Sequence, residues 1–235
     1  MKYPNIHRAV FLNRPNRFIA HCLLNDKQVI AHVPNTGRCK ELFLSGVPAY
    51  LVKAQEDAKR KTPYTLVAVE KEGRLINIDS NAPNKVVAEA LLSGNLLLPG
   101  TKGGFELKRE VFFGASRLDF CLYHNGHKSF IEVKGVTLED GGKVMFPDAP
   151  TIRGIRHLEE LTRIALAANS LDEAWLIFVV QMEGVKYFSP NWQTHAAFGQ
   201  ALYKAQQQGV GILAYDCHTA PQSLSLGKEV KVVFG

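Results

Sequence analysis

Ser116-Arg117-Leu118-Asp119-Phe120-Cys121-Leu122-Tyr123-His124-Asn125-Gly126-His127-Lys128-Ser129-Phe130-Ile131-Glu132-Val133-Lys134 is the stretch that decides how this sequence folds. An Asn-Gly pair between two apolar-rich runs marks a two-residue hairpin of type I′, because both central residues must take positive φ. Such a turn fixes the register: with His124 facing His127, Asp119 lies opposite Glu132 and Arg117 opposite Lys134. Side chains two apart on a strand point the same way, so these four share a face with Cys121 and Phe130. Leu118, Phe120, Leu122, Ile131 and Val133 form the other, core-facing side. Directly opposed carboxylates repel unless something neutralises them. A divalent cation does so, and hard oxygen ligands suit Mg²⁺ or Mn²⁺, with Lys134 beside the ion to orient or deprotonate a water. The bland alternative is a solvated hairpin face on which Asp119 pairs with Lys134 and Glu132 with Arg117. Cys121 and Phe130 on the same face favour a half-covered cleft instead.

Outward from the hairpin the pattern is mixed α/β. Lys85 to Ser93 reads as a helix with an apolar stripe at Val86, Val87, Ala90 and Leu91, and Gly94 as its stop. Pro99 to Gly104 lacks the Gly-Lys-Ser/Thr ending of a phosphate loop and reads as a flexible connector. Phe105 to Phe113 is a strand that precedes the hairpin. After it, Ile152 to Asn169 shows helical periodicity through Ile155, Leu158, Leu161, Ala165 and Ala168, with Thr151 as N-cap. Ala174 to Gln181 suits a strand buried on both faces, and a helix at 193–208 and a strand at 210–215 complete the unit. Before residue 80 the period changes to that of short strands: Arg17 to Leu24, Gln28 to Val33, Pro48 to Lys53, Tyr64 to Val69 and Arg74 to Asp79. Turns such as Asn25-Asp26 and Glu72-Gly73 separate them. Five short strands in this length fit a small barrel, of which a five-stranded OB-fold is one solution; an SH3-like barrel or a meander reads much the same. The expected domains are 1–80, a nucleic-acid-binding barrel, and 81–235, an α/β domain.

Charge follows the same division. Residues 1–80 hold 13 Lys and Arg against 7 Asp and Glu, whereas 81–235 hold 15 of each, so the whole net charge of +6 lies in the first part. A basic module attracts a polyanion, because phosphate contacts are independent of sequence. Arg14, Arg17, Arg38 and Lys40 are its candidate DNA contacts, and Phe18, Tyr50 and Tyr64 are either stacking platforms or core filling. The longest apolar run, Ala174 to Val180, is far too short to span a bilayer, and the basic, proline-interrupted start is no secretion signal, so a cytoplasmic protein with no membrane partner is expected. The four cysteines (Cys22, Cys39, Cys121 and Cys217) show no paired spacing and read as buried thiols. His124 and His127 read as exposed turn residues. His157 sits on the long helix, where it either reaches a phosphate or fills the core. A homo-oligomer is compatible with the sequence.

Asp119, followed thirteen residues later by Glu132-Val133-Lys134, resembles the PD-(D/E)XK nuclease pattern, with Leu118 in place of its proline. More specifically, the chain resembles the sugar fermentation stimulation protein A family. The resemblance is carried by Asn35-Thr36-Gly37-Arg38, Asn84 to Leu92, Ser116 to Phe120, Glu132 to Leu138, Phe146 to Thr151 and Arg153 to Leu158. It implies an N-terminal OB-fold, a C-terminal PD-(D/E)XK-like domain, DNA binding and a regulatory link to sugar (maltose) fermentation in bacteria. On that basis Asp119, Glu132 and Lys134 are the expected catalytic set. Asp119 and Glu132 would hold one Mg²⁺ or Mn²⁺, helped by the Val133 carbonyl and, through water, by Glu89, and Arg117, Arg153 and Arg156 would join the DNA contacts. Two classes stay open, a largely non-specific DNA-binding regulator and a metal-dependent nuclease that cleaves DNA. A small-molecule sensor is a weaker third.

Overall fold

The computed structural model describes residues 1–35, 37–55, 62–114, 116–167 and 171–235. The first part is a closed five-stranded barrel. Strands β1 (Ile6–Asn16), β2 (Ile19–Leu24), β3 (Lys27–His32), β4 (Pro48–Lys53) and β5 (Tyr64–Lys71) run in the order β3-β2-β1-β4-β5, and β3 meets β5 in parallel at Ala31↔Tyr64 to close the ring. A sixth strand, β6 (Arg74–Asn77), is a hairpin arm on β5 outside the ring. The sequence reading reached five strands with one wrong member, counting β6 and missing β1. The reason lies in the composition of β1: only Ala9 and Phe11 are fully buried, Arg8, Asn13 and Pro15 are exposed, and its register against β2 shifts between Phe11 and Asn13 and again between Asn13 and Asn16. Such a bulged strand carries no clean two-residue alternation.

The remainder comprises α1 (Ala82–Leu92), β7 (Glu106–Phe113), β8 (Ser116–His124), β9 (His127–Val136), β10 (Leu138–Asp140), β11 (Lys143–Phe146), α2 (Ile152–Ala165), β12 (Glu173–Val180), β13 (Tyr187–Pro190), α3 (Trp192–Gln207), β14 (Gly211–Ala220), β15 (Ser223–Glu229) and β16 (Lys231–Val232). Its main sheet has the order β15-β14-β12-β9-β8-β7, with β9, β12 and β14 parallel at the centre. Parallel strands covered on both faces read as continuous apolar runs, as Ala174 to Val180 does. On one face α1 buries Val86, Val87 and Leu91 against Phe120, Ile131, Val133 and Ile177. On the other, Leu158, Leu161 and Ile164 of α2 and Phe198 and Leu202 of α3 cover Cys121, Phe130, Leu176 and Phe178 in a cluster continuous with the barrel interior. A second sheet, β10-β11-β13-β16, was not foreseen, because its strands are only two to four residues long.

Thr151 caps α2, accepting from the Gly154 N–H at 2.9 Å, a contact that stabilises a helix by about 1 kcal/mol. Ala168 and Asn169, expected in this helix, lie outside the described residues, as does Thr36. Asn125 and Gly126 take φ of 48° and 82°, and His124 pairs with His127 as the turn requires. The barrel is fastened to the main sheet by buried amides. Gln181 Nε2 donates to Asn77 Oδ1 at 2.8 Å and to the Asp79 carbonyl at 3.0 Å, while the Asn77 N–H reaches the Gln181 carbonyl. All four cysteines are buried free thiols. Among the described residues, no helix is long and apolar enough to cross a membrane.

Candidate metal and nucleic-acid site

The β8–β9 ladder runs from His124↔His127 to Phe120↔Ile131 and stops there. In this register Val133 would next exchange both backbone hydrogen bonds with Leu118. Instead the Val133 N–H donates to Asp119 Oδ2 at 2.8 Å. A side-chain carboxylate has replaced a backbone carbonyl, and the two strands part at that point. The N–H and C=O of a strand residue point to the same neighbour, so the Val133 carbonyl also faces this gap. Asn84 in the first turn of α1 holds the second Asp119 oxygen, Nδ2 to Oδ1 at 2.7 Å.

Glu132 comes to the gap from β9. It is 3% exposed, and its Oε1 receives both Lys134 Nζ and His157 Nδ1 from α2. Arg153 Nε approaches His157 Nε2 at 3.4 Å. The other Glu132 oxygen, Oε2, is buried with no hydrogen-bond partner. Burial raises the Asp119 carboxyl above its ordinary value, and the nearby Glu132 charge adds to the rise despite the N–H of Val133 and the amide of Asn84. Burial pushes Glu132 the same way, but His157 and Lys134 outweigh it and hold Glu132 below its ordinary value. The two acids are therefore shifted in opposite directions, Asp119 upward and Glu132 downward.

The remaining expected residues are placed unequally. Glu89 is not at the gap: its carboxylate takes the Met1 ammonium at 2.5 Å, because five residues of helix turn it away from Asn84. Arg117 is exposed and reaches Glu110 at 3.4 Å rather than Lys134, since β8 has left β9 before that position. Arg153 and Arg156 are exposed on α2. Sequence reasoning left His157 undecided and missed Asn84 as a partner of Asp119; both contacts cross between elements and leave no local signal. Among the described residues no three His, Cys, Asp or Glu side chains converge as a metal cluster.

On the barrel, Arg14, Arg17, Arg38 and Lys40 line one groove of about 680 Å³ floored by Phe11 and Phe43. Arg14 serves the fold there. Its guanidinium donates to the carbonyls of Arg17, Asn35, Gly37 and Arg38 at 2.6–3.0 Å and lies over the Phe43 ring. Arg17 stacks on Phe18, which is exposed, whereas Tyr50 is buried and bonded to Glu70. The loop that Arg14 grips continues into a second, polar cavity of about 160 Å³, lined by Asn35, Gly37, Gly135, Thr137 and Asp148. Gly135 follows Lys134, so one loop connects the basic groove with the end of the Glu132–Lys134 strand.

Residues 12–78 match the family model described as the SfsA N-terminal OB domain, and residues 81–223 match the sugar fermentation stimulation protein RE domain. The chain belongs to the sugar fermentation stimulation protein family. It is 48% identical over 236 residues to a sugar fermentation stimulation protein homolog of Desulfitobacterium hafniense, covering 99% of this chain and 98% of that one. It is 46% identical over 230 residues to a homolog of Clostridium tetani, covering 97% of each. Among solved structures, that of Pyrococcus furiosus SfsA in complex with Ca²⁺ is similar at a TM-score of 0.86 and 28% identity, over 99% of this chain and 98% of that one.

Proposed function

We propose that this family member binds DNA largely without sequence preference through the barrel groove, and holds one divalent cation in the β8–β9 gap at the end of that path. The observation that carries the reading is the buried, unpartnered Oε2 of Glu132 beside Asp119. An orphaned carboxylate oxygen in a gap that also receives a backbone carbonyl suits a hard cation, and waters would complete its shell. Asp119, Glu132 and the Val133 carbonyl would hold Mg²⁺ or Mn²⁺; Glu89 would not. The Ca²⁺ complex of the Pyrococcus relative supports a divalent ion in this fold.

The chain's own groups define what the site can do. His157 and Lys134 occupy Oε1 of Glu132 and so direct Oε2 into the gap, while Asn84 and the Val133 N–H fix the Asp119 carboxylate. Arg17, Arg38 and Lys40 are free to meet phosphates, and Arg153 and Arg156 present positive charge on the α2 side. A bound cation would supply charge for a phosphate oxygen. Lys134 also supports the second reading, hydrolysis of a phosphodiester, since an ammonium beside two carboxylates can orient the attacking water.

Labelled single- and double-stranded DNA, incubated with Ca²⁺, Mg²⁺ or Mn²⁺ and scored for both retardation and cleavage, tests the proposal. Retardation that weakens steeply with salt is expected. Cutting with Mg²⁺ or Mn²⁺ that disappears in Lys134→Ala at unchanged retardation would establish the nuclease reading. No retardation at low salt would refute DNA binding. The maltose-linked regulatory role belongs to this proposal only as a consequence of DNA binding.

A further inference from the structure

The tip of the central hairpin carries a second cluster, separate from the β8–β9 gap. His124, expected to be exposed, is 5% exposed, and its Nδ1 is buried with no hydrogen-bond partner. Its tautomer is fixed by a chain of acceptors. Ser129 Oγ donates its single proton to Glu173 Oε2 at 2.8 Å, so it must accept from His124 Nε2, also at 2.8 Å. Glu173 is held in turn by Trp175 Nε1 at 3.2 Å. The proton therefore sits on Nε2, and Nδ1 is a bare lone pair. His127 is set in the same way: its Nδ1 lies 3.2 Å from the Asn125 carbonyl, which can only accept, so Nε2 carries the lone pair.

Both nitrogens border one unfilled space beside Gly100. The two rings stand edge to face with centroids 4.3 Å apart. A β-carbon placed on Gly100 would lie 3.3 Å from His124 Cε1, 3.4 Å from its Nδ1 and 3.8 Å from His127 Nε2. Glycine, at φ +75°, leaves that space unfilled, and the Asn125 side-chain amide pins its carbonyl at 2.9 Å. The connector lies against the hairpin tip, with a turn of 3₁₀ helix at Thr101–Gly103.

We infer that His124 Nδ1 and His127 Nε2 form a two-imidazole site for a borderline transition-metal dication, Zn²⁺ in the first place. Neutral imidazoles whose other nitrogen is held by a carboxylate relay or a backbone carbonyl have the arrangement that metal-ligating histidines use. Imidazole nitrogen selects Zn²⁺, Ni²⁺ or Cu²⁺ over the hard ions suited to Asp119 and Glu132. With two protein ligands the remaining coordination positions belong to water or a bound donor. The site does not depend on the proposed DNA-binding function, being about 17 Å of strand from Asp119.

Zn²⁺ affinity of the intact protein, measured by competition with a chromogenic chelator, tests this. With the β8–β9 gap occupied by excess Mg²⁺, the wild type should bind one Zn²⁺. His127→Gln, at a half-buried position that a polar residue tolerates, should lose about 10-fold or more, and Ser129→Ala should weaken binding by releasing the His124 tautomer. Zinc-edge absorption should show two imidazoles at about 2.0 Å. Absence of Zn²⁺ binding in the wild type, or unchanged affinity in His127→Gln, would each overturn the assignment.

Discussion

The barrel groove and the β8–β9 gap use charge in opposite ways. In the groove Arg17, Arg38 and Lys40 stand in water, where each charge is screened and acts almost alone. In the gap, Glu132, Lys134, His157 and Asp119 are packed so closely that no member can be changed without altering the state of the others. Exposed cations give additive, salt-dependent attraction; buried ones give a few strong, coupled terms. In the proposed function one device would gather a polyanion and the other would fix an ion at one point.

The largest effect is expected from Glu132→Gln, which strikes every partner in the gap at once. It removes a charged acceptor from buried His157 and Lys134, at about 2 kcal/mol. It also abolishes the stabilisation that a saturating cation gives, roughly 2.7 kcal/mol at 100 times its dissociation constant. Chemical denaturation with EDTA and with Mn²⁺ reads both losses; a variant that keeps the Mn²⁺ increment would dissolve the contrast between gap and groove.

Asp119→Asn should also remove the cation increment but move metal-free stability the other way. Burial and Glu132 hold the Asp119 carboxyl above its ordinary 3.8, so the folded state binds that proton more tightly than the unfolded chain. Stability is therefore lost as pH rises from about 3.8 through the raised value. Glu132 has the opposite sign: held below its ordinary 4.5, it contributes stability above that value that disappears as pH falls through the depressed one. In EDTA at neutral pH the Asp119→Asn melting temperature should thus lie above that of the wild type, and a lower one would contradict the repulsion on which the site is argued.

Arg14→Ala should behave as a change to the fold although it lies in the groove. The guanidinium holds four loop carbonyls, so the loss is about 2 kcal/mol of stability, read as a lower denaturation midpoint. Arg17→Ala, Arg38→Ala and Lys40→Ala should leave the midpoint alone. Each should flatten the slope of log affinity against log salt by ~0.9 on duplex DNA, the smallest effect of the series and the one that sharpens the picture of an additive surface.

Much of this arrangement was legible in the sequence, and the illegible parts share one cause. Asn125-Gly126 fixed the register, and register brought Asp119 towards Glu132. It could not show that a carboxylate would take the place of the Leu118 carbonyl, since that exchange depends on where β8 parts from β9. The helix bearing Glu89 was recognised, but its rotation was not, so Asn84 rather than Glu89 faces Asp119. His157 and the buried His124 depend on contacts across the sheet, which no local period encodes.

The central claim is that the groove and the gap serve one DNA strand, and duplex affinity measured in Ca²⁺ and in EDTA at fixed ionic strength tests it most directly. The account predicts that Ca²⁺ tightens binding by the wild type and leaves binding by Asp119→Asn unchanged. An equal response in both proteins, or none in either, would contradict it.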